Sequence, residues 1–248
     1  MLPASAALAA ISFDGAYNLT FVIIIPMMIL TFIISSAVKT VFAKYNTIKP
    51  ASGLTGSQAA RKILDEAGLF HVDVKQCKGT LTDHFNPKTN TVYLSEAVFG
   101  VCSASALGVA AHECGHAIQH ANDYLFVKIR TALVPVCNFT ARYSTIIVLV
   151  GLLMTMFQTL YSIGTFVLFV GIVFYGVYTL FTLVTLPVEF NASKRAHSLL
   201  TRSNILSNTE WASVRKVLTV AALTYVMSFS MSLLYLLRLL AILGSRKR

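Results

Sequence analysis

Two histidines and a glutamate stand at the spacing that binds a zinc ion. The segment 110–117 reads Ala-Ala-His-Glu-Cys-Gly-His-Ala, so His112 and His116 lie four residues apart. On a helix, side chains at this spacing stack on one face, which is how a tetrahedral Zn²⁺ takes two ligands from one helix. Glu113 directly follows the first histidine and can serve as the base for a water at the metal. We therefore expect one Zn²⁺ here.

The rest of the chain is strongly apolar. Of its 248 residues, 56% are hydrophobic and 12% are charged, about half the charged fraction of a typical soluble domain. Because the apolar residues are clustered, the sequence predicts a polytopic membrane protein. The net charge of +10 does not indicate a nucleic-acid partner, since the basic residues flank apolar runs without a groove-reading pattern. Four widely spaced cysteines predict neither a disulfide framework nor a cysteine metal site.

Three long apolar runs are expected to cross the membrane. Leu19–Val38 is uncharged, and as a helix it spans about 30 Å, the thickness of the hydrocarbon core. Tyr143–Val188 has no charged residue or histidine and is about twice the length of one span, so it must fold back as two spans over about 143–158 and 164–186. Val217 to about Leu237 is a further run. We expect it to span, although the basic C-terminal tail would then lie outside, against the positive-inside rule.

The polar stretch after the first run is expected to form a small α+β domain. Ser57–Gly68 is an amphipathic helix, residues 71–74 and 91–94 are predicted strands, and the two histidines lie on a helix from about Ser103 to Ala121. The expected divisions are 1–44 for the N-terminal segment and first span, 45–142 for the domain with the metal helix, 143–188 for the hairpin of spans, 189–216 for a polar helical segment, and 217–248 for the last apolar helix and basic tail.

A catalytic zinc site needs a third protein ligand and leaves a fourth position for water. Glu189 stands out among the five glutamates. Small residues three and seven positions after it, Ala192 and Ala196, would let its helix lie tightly against the metal helix. We expect Pro187 to break the preceding helix, which places Glu189 early in a new one, where it could also act only as a cap. The other candidate ligands are Asp73, Asp83, His84 and His120.

The chain resembles a known family over about Lys44 to Leu240. The residues that carry the resemblance are Asp83–Pro87 with Tyr93–Glu96, Ala110–His120, Ala132–Pro135, Leu183–Ser193 and Ala221–Val226. Together they are similar to the YugP-type family of bacterial membrane zinc peptidases and, more distantly, to the HtpX and CAAX-prenyl-protease group. The resemblance implies Glu189 as the third ligand. Ser193 stands where the broader group has an aspartate beside the ligands.

The fold class that follows is mainly α, a polytopic helical membrane protein with a small α+β, zincin-like metallopeptidase domain. The expected function is that of a membrane-anchored zinc endopeptidase, a hydrolase acting on protein or peptide substrates. His112, His116 and Glu189 would hold the zinc, and Glu113 would be the catalytic base. A further donor usually stabilises the developing oxyanion, and the candidates for this role are His84, Tyr225 and Arg195.

The sequence also gives expectations about the setting of the site. Lys39, Lys44 and Lys49 follow the first span, which places the catalytic domain on the cytoplasmic face of a bacterial plasma membrane. We expect the strand around Tyr93 to pair with an extended substrate. The sequence leaves the oligomeric state open.

Two other functions stay open. An intramembrane site-2-type protease is disfavoured because polar residues flank the motif helix. A non-enzymatic zinc-binding membrane protein or transporter is disfavoured because the long hairpin of spans carries no charged group or histidine.

Overall fold

The computed structural model describes residues 4–245 and, within them, the side chains of residues 22–207 and 210–244. Most of the chain is helical. One small sheet is formed by three strands that follow the second helix and precede the third along the chain. The elements are α1 (Ala4–Tyr45), α2 (Gly56–Glu66), β1 (Asp73–Cys77), β2 (His84–Asn86), β3 (Thr91–Ser95), α3 (Glu96–Phe99), α4 (Ala104–Ala121), α5 (Leu125–Met154), a 3-10 turn (Gln158–Leu160), α6 (Tyr161–Arg202) and α7 (Asn208–Ser245).

Four of the described helices are long and apolar enough to cross a membrane. The candidate spans are Val22–Tyr45, Leu125–Met154, Gln158–Arg202 and Glu210–Gly244. The metal helix of the sequence analysis, α4, is not among them. The predicted fold class, a mainly helical membrane protein with a small sheet, is confirmed.

The chain folds as two compact units. The first contains Ile129–Val184, the part of α1 up to Phe32 and the part of α7 from Val226 onwards. Within it, α5 and α6 approach so closely that a Cβ built on Gly151 would lie 2.5 Å from the backbone nitrogen of Leu168. An apolar cluster holds the helices together, and its members are Val148, Leu168, Ile172, Leu239 and Leu243. Phe166 and Phe169 on α6 are exposed, as expected of side chains that face lipid.

The second unit comprises Ile33–Lys128 and Thr185–Tyr225, and α4 is its central element. This helix begins where the Ser103 hydroxyl accepts a hydrogen bond from the Ala106 N–H, the usual way to satisfy an N-terminal amide. Most of its residues are buried, and it contacts α2, α3, β2 and β3. The Ser105 hydroxyl donates to the carbonyl of Phe42 over 2.9 Å, which ties α4 to the end of α1.

The sheet has the strand order β1-β3-β2. β1 runs parallel to β3, with Asp73 opposite Thr91, and β2 runs antiparallel to β3, with His84 opposite Tyr93. The expectation that the Tyr93 strand pairs with a substrate is therefore wrong, because β3 is central and already has a strand on each side.

α6 runs without a break through Pro187, so the expected start of a new helix after this proline is wrong. Proline removes one helical N–H and crowds the carbonyl four residues earlier, but neighbouring helices allow apolar helices to accommodate it. The small residues after Glu189 act as predicted, since Ala192 and Ala196 are fully buried. A Cβ built on Gly115 of α4 would lie 2.9 Å from the Ala192 carbonyl oxygen, so the two backbones are in direct contact.

This contact predicts that Gly115→Ala destabilises the protein. Alanine favours a helix interior over glycine by about 1 kcal/mol, but its methyl group would push against a backbone atom that cannot rotate away. We expect a net loss of about 1–3 kcal/mol, seen as a lower midpoint of thermal unfolding in detergent. The matched control is Gly100→Ala, where a Cβ would meet nothing within 4 Å. Equal midpoints for both variants would contradict the prediction.

Candidate metal centre

Two helices of the second unit bring the three predicted ligands together. The Oε2 atom of Glu189 on α6 lies 3.3 Å from Nε2 of His112 and 3.6 Å from Nε2 of His116. One potential ligand atom from each of the three residues lies within 4.8 Å of the other two. The two imidazole rings stand edge to face, with centroids 4.7 Å apart. Glu189 lies 73 positions after His116 in the sequence, so the packing of α6 against α4 brings them together.

The donor set and its spacing fit Zn²⁺. Ligand atoms about 2.0–2.1 Å from a tetrahedral zinc lie roughly 3.3 Å from one another, and the two nitrogen–oxygen distances here are 3.3 and 3.6 Å. Two imidazoles and one carboxylate form a ligand set of catalytic zinc sites. Glu189 is 2% exposed, and a carboxylate so buried needs a nearby positive charge. Among the residues that the structure describes, this is the one group of three potential ligands found.

The electrostatics of the cluster favour a cation. Burial lowers the pKa of His116, but the hydrogen bond to Glu189 and the charge of Glu113 oppose this effect, and the net result is a pKa above the usual value. The buried acids thus attract positive charge to the point between the rings, where a proton or a metal ion can supply it.

Gln119 fixes the orientation of one ligand. Its fully buried side chain accepts a hydrogen bond from Nδ1 of His116 over 3.0 Å. Its amide nitrogen donates to the carbonyl of Val188 over 2.8 Å and to Oδ1 of Asn191 over 3.0 Å. Because an amide oxygen only accepts, Nδ1 of His116 carries a hydrogen, which leaves Nε2, the nitrogen nearer Glu189, as the ring atom available to bind a metal. One side chain therefore orients a candidate ligand on α4 and also contacts the turn of α6 that carries Glu189.

Ser193 makes the corresponding contact to the other histidine. Its hydroxyl lies 3.2 Å from Nδ1 of His112, the ring nitrogen that faces away from Glu189. A hydroxyl can accept the Nδ1 hydrogen as a carboxylate would, so the contact is retained without adding a negative charge.

Glu113 lines a cavity next to the ligands. The cavity has a volume of about 280 Å³, and His112, Glu189 and Ser193 line it too. Glu113 is 8% exposed, so its carboxylate is shielded from bulk water but reaches the cavity. A water and a carbonyl group placed there would meet the base and the ligand cluster together.

The three candidate oxyanion donors lie in different places. Tyr225 lines the same cavity as His112 and Glu113. His84 is not among its lining residues: its Nδ1 lies 2.9 Å from the Thr82 carbonyl oxygen, and its ring stacks on Tyr93. Arg195 lines a separate cavity formed by α2, α4 and α6 and donates to Oδ1 of Asn191 over 2.8 Å.

The remaining candidate ligands have other partners. Asp83 also lines the cavity, but its carboxylate accepts the Ser95 N–H at 2.7 Å and the Ser95 hydroxyl at 3.0 Å. Burial raises the pKa of Asp83, although the hydrogen bonds from Ser95 act in the other direction. Asp73 pairs with Lys75 at the surface, and the ring of His120 lies 5.4 Å from that of Phe85.

The sequence analysis missed Gln119 and Asn191. A signal for Gln119 was present, because it lies three residues after His116 and so on the same helix face. No comparable local signal marked Asn191, whose contact with Gln119 joins residues 72 positions apart.

Comparison with known proteins shows the family of the chain. Residues 20–244 match the family described as "Putative neutral zinc metallopeptidase". The chain is 42% identical over 205 residues, which is 83% of this chain and 88% of the relative, to the protein named "Putative membrane protease YugP" from Bacillus subtilis strain 168. No solved structure matches the chain. With a family match over most of its length and a relative this similar, the chain belongs to the YugP-type family of zinc metallopeptidases, membrane proteins with zinc as their cofactor.

Proposed function

We propose that this protein is a membrane-anchored endopeptidase in which His112, His116 and Glu189 hold one zinc ion and Glu113 is the catalytic base. The observation that carries the proposal is the position of the Glu189 carboxylate, within 3.6 Å of both imidazoles and beside Glu113 on one cavity. Membership of a metallopeptidase family makes a peptide bond the expected target.

The chain's own residues can perform the proton transfers of hydrolysis. Zinc, when bound, supplies a Lewis acid that makes water a better nucleophile and polarises a carbonyl group. Glu113 takes a proton from the attacking water as the water oxygen bonds to the carbonyl carbon. The same carboxyl group then gives this proton to the amine nitrogen as the C–N bond breaks. The second proton of the water also passes to the amine, so water and one peptide bond yield a carboxylate and an ammonium group.

Tyr225 is the oxyanion donor that we propose. Of the three candidates, it is the one whose side chain lines the cavity with Glu113. A phenolic O–H can donate a hydrogen bond. A hydrogen bond to the oxygen that becomes negatively charged is stronger in the transition state than in the substrate.

We further propose that the catalytic domain faces the cytoplasm. Lys39 and Lys44 lie towards the end of α1, and Lys194 and Arg202 lie towards the end of α6. Basic residues at the ends of spans favour the cytoplasmic side. α4 is not one of the apolar helices, which supports a site in the domain rather than an intramembrane site of the site-2 type. The proposal keeps the division of the chain that the sequence predicts, with boundaries after residues 44, 142, 188 and 216.

Glu113→Gln is expected to abolish cleavage while zinc stays bound. The amide keeps the shape of the side chain but cannot accept a proton, so kcat should fall about 10²–10⁴-fold. Zinc content and hydrolysis of a casein substrate would be measured on the same detergent-purified sample. The matched control is Glu96→Gln, which changes an exposed glutamate and should alter neither quantity. Unchanged cleavage by Glu113→Gln would refute the assigned base.

Glu189→Gln is expected to weaken zinc binding itself. An amide is a poor zinc ligand, and even loss of a group that only supports a ligand weakens metal affinity about 10–100-fold, so the loss here should be at least that large. Zinc affinity would be measured by competition with a chelator, again beside Glu96→Gln. A Glu189→Gln variant that binds zinc as tightly as the wild type would rule out this residue as the third ligand.

Gln119→Leu tests the orienting contact. Leucine keeps much of the buried volume but cannot accept from His116 Nδ1, so we expect a loss of zinc affinity of about 10–100-fold. The same measurement on Gln76→Leu, at an exposed position of β1, serves as the control. If thermal stability falls but zinc affinity stays the same, Gln119 only joins α4 to α6 and does not orient the ligand.

A further inference from the structure

We propose that the cavity beside Glu113 is a specificity subsite that takes one aliphatic or aromatic side chain next to the scissile bond. This inference rests on the proposed peptidase function and adds the class of substrate, namely polypeptides with an apolar residue at the cleavage site.

The lining of the cavity combines two kinds of residue. Polar and charged residues are present, including His112, Glu113 and Glu189. Apolar residues come from three helices, with Val38 and Phe42 from α1, Val109 from α4, and Val217, Ala221 and Ala222 from α7. In the proposed subsite these apolar residues form a wall, and a peptide group held by the polar residues would place a neighbouring side chain against it.

The volume of the cavity limits what can occupy it. At about 280 Å³, it is slightly smaller than the range of about 300–1,000 Å³ that holds whole small-molecule ligands. It can therefore take a side chain and its peptide group, but not a folded segment. Burying a Leu or Phe side chain against an apolar wall is favourable and can select substrates by about 10–200-fold.

The charges around the cavity disfavour an acidic side chain. Asp83, Glu113 and Glu189 line it, and no lysine or arginine is among the described lining residues. A substrate carboxylate turned towards the apolar wall would lose its hydration without gaining a cation there. The site should therefore select apolar residues over acidic ones.

The small residues of α7 set the size of the subsite. Ala222 lines the cavity from a helix that supplies none of the three predicted ligands. A larger side chain at this position would fill the space that a substrate side chain needs, without replacing any group of the zinc site. Substitution of Ala222 therefore separates substrate choice from metal binding.

The test uses the full-length, zinc-loaded protein in detergent and peptides that differ at one residue on either side of the cleaved bond. With Leu or Phe at the preferred position, we expect kcat/KM at least tenfold higher than with Asp. Ala222→Phe should lower kcat/KM at least tenfold for the Leu and Phe peptides and less than threefold for the Ala peptide, with zinc content unchanged. The control is Ala212→Phe, at an exposed position of the same helix, which should keep the wild-type preference.

A second variant covers the case in which Ala222→Phe does not fold. Val217→Ala enlarges the cavity and should shift the preference from Leu towards Phe. Binding is measured separately from turnover by fluorescence anisotropy of the same peptides on zinc-loaded Glu113→Gln, where the Leu peptide should bind at least tenfold more tightly than the Asp peptide.

The outcomes distinguish this inference from the proposed function. Cleavage that depends on Glu113 but shows no apolar preference, or a preference that neither α7 variant changes, would overturn the subsite and leave the peptidase intact. If the wild-type protein cleaves no peptide, or cleaves peptides no faster than Glu113→Gln, both the subsite and the proposed peptidase function would be overturned.

Discussion

The whole site depends on the close packing of α4 against α6. Glu189 can reach the two imidazoles of α4 only because the helix backbones touch where Gly115 meets Ala192. A side chain at either position larger than the one present would push the helices apart, because even a Cβ at Gly115 would lie closer to the Ala192 carbonyl oxygen than ordinary contact allows. The small residues of this contact therefore have a chemical consequence, since they set the distance between a buried carboxylate and the nitrogens beside it.

The hydrogen bonds around the ligands are made by neutral groups. Gln119 and Ser193 contact the outer ring nitrogens of His116 and His112, where many zinc sites use a carboxylate. The cavity already contains three acidic side chains, and another would have to be buried close to them at a high electrostatic cost. An amide and a hydroxyl orient the rings without that cost. Ser193 can therefore contact His112 without adding a buried charge.

Sequence reasoning was most informative where the signal was local. The placement of His112 and His116 on one helix, the amphipathic α2 and the apolar helices all follow from periodicity over a few turns. The predicted third ligand was different, because Glu189 was one of several candidates until the family resemblance selected it. Pro187 and the β3 edge were misjudged for the same reason: whether a proline ends a helix, or a strand lies at an edge, depends on neighbours that are distant in sequence.

The two sides of the cavity explain how one helix can serve both chemistry and selection. α4 lines the cavity with His112 and Glu113 and also with the apolar Val109, so in the proposed subsite a single rigid element would set the position of the substrate side chain relative to the base. The apolar wall also excludes water, and a lower local dielectric constant strengthens the interactions of Glu113 and of the ligand cluster with a developing charge. A residue that fills the cavity well would thus improve both binding and the environment of the reaction. In the proposed subsite, substrate selection and catalysis are coupled through this exclusion of water, because α4 contributes both Glu113 and the Val109 part of the wall.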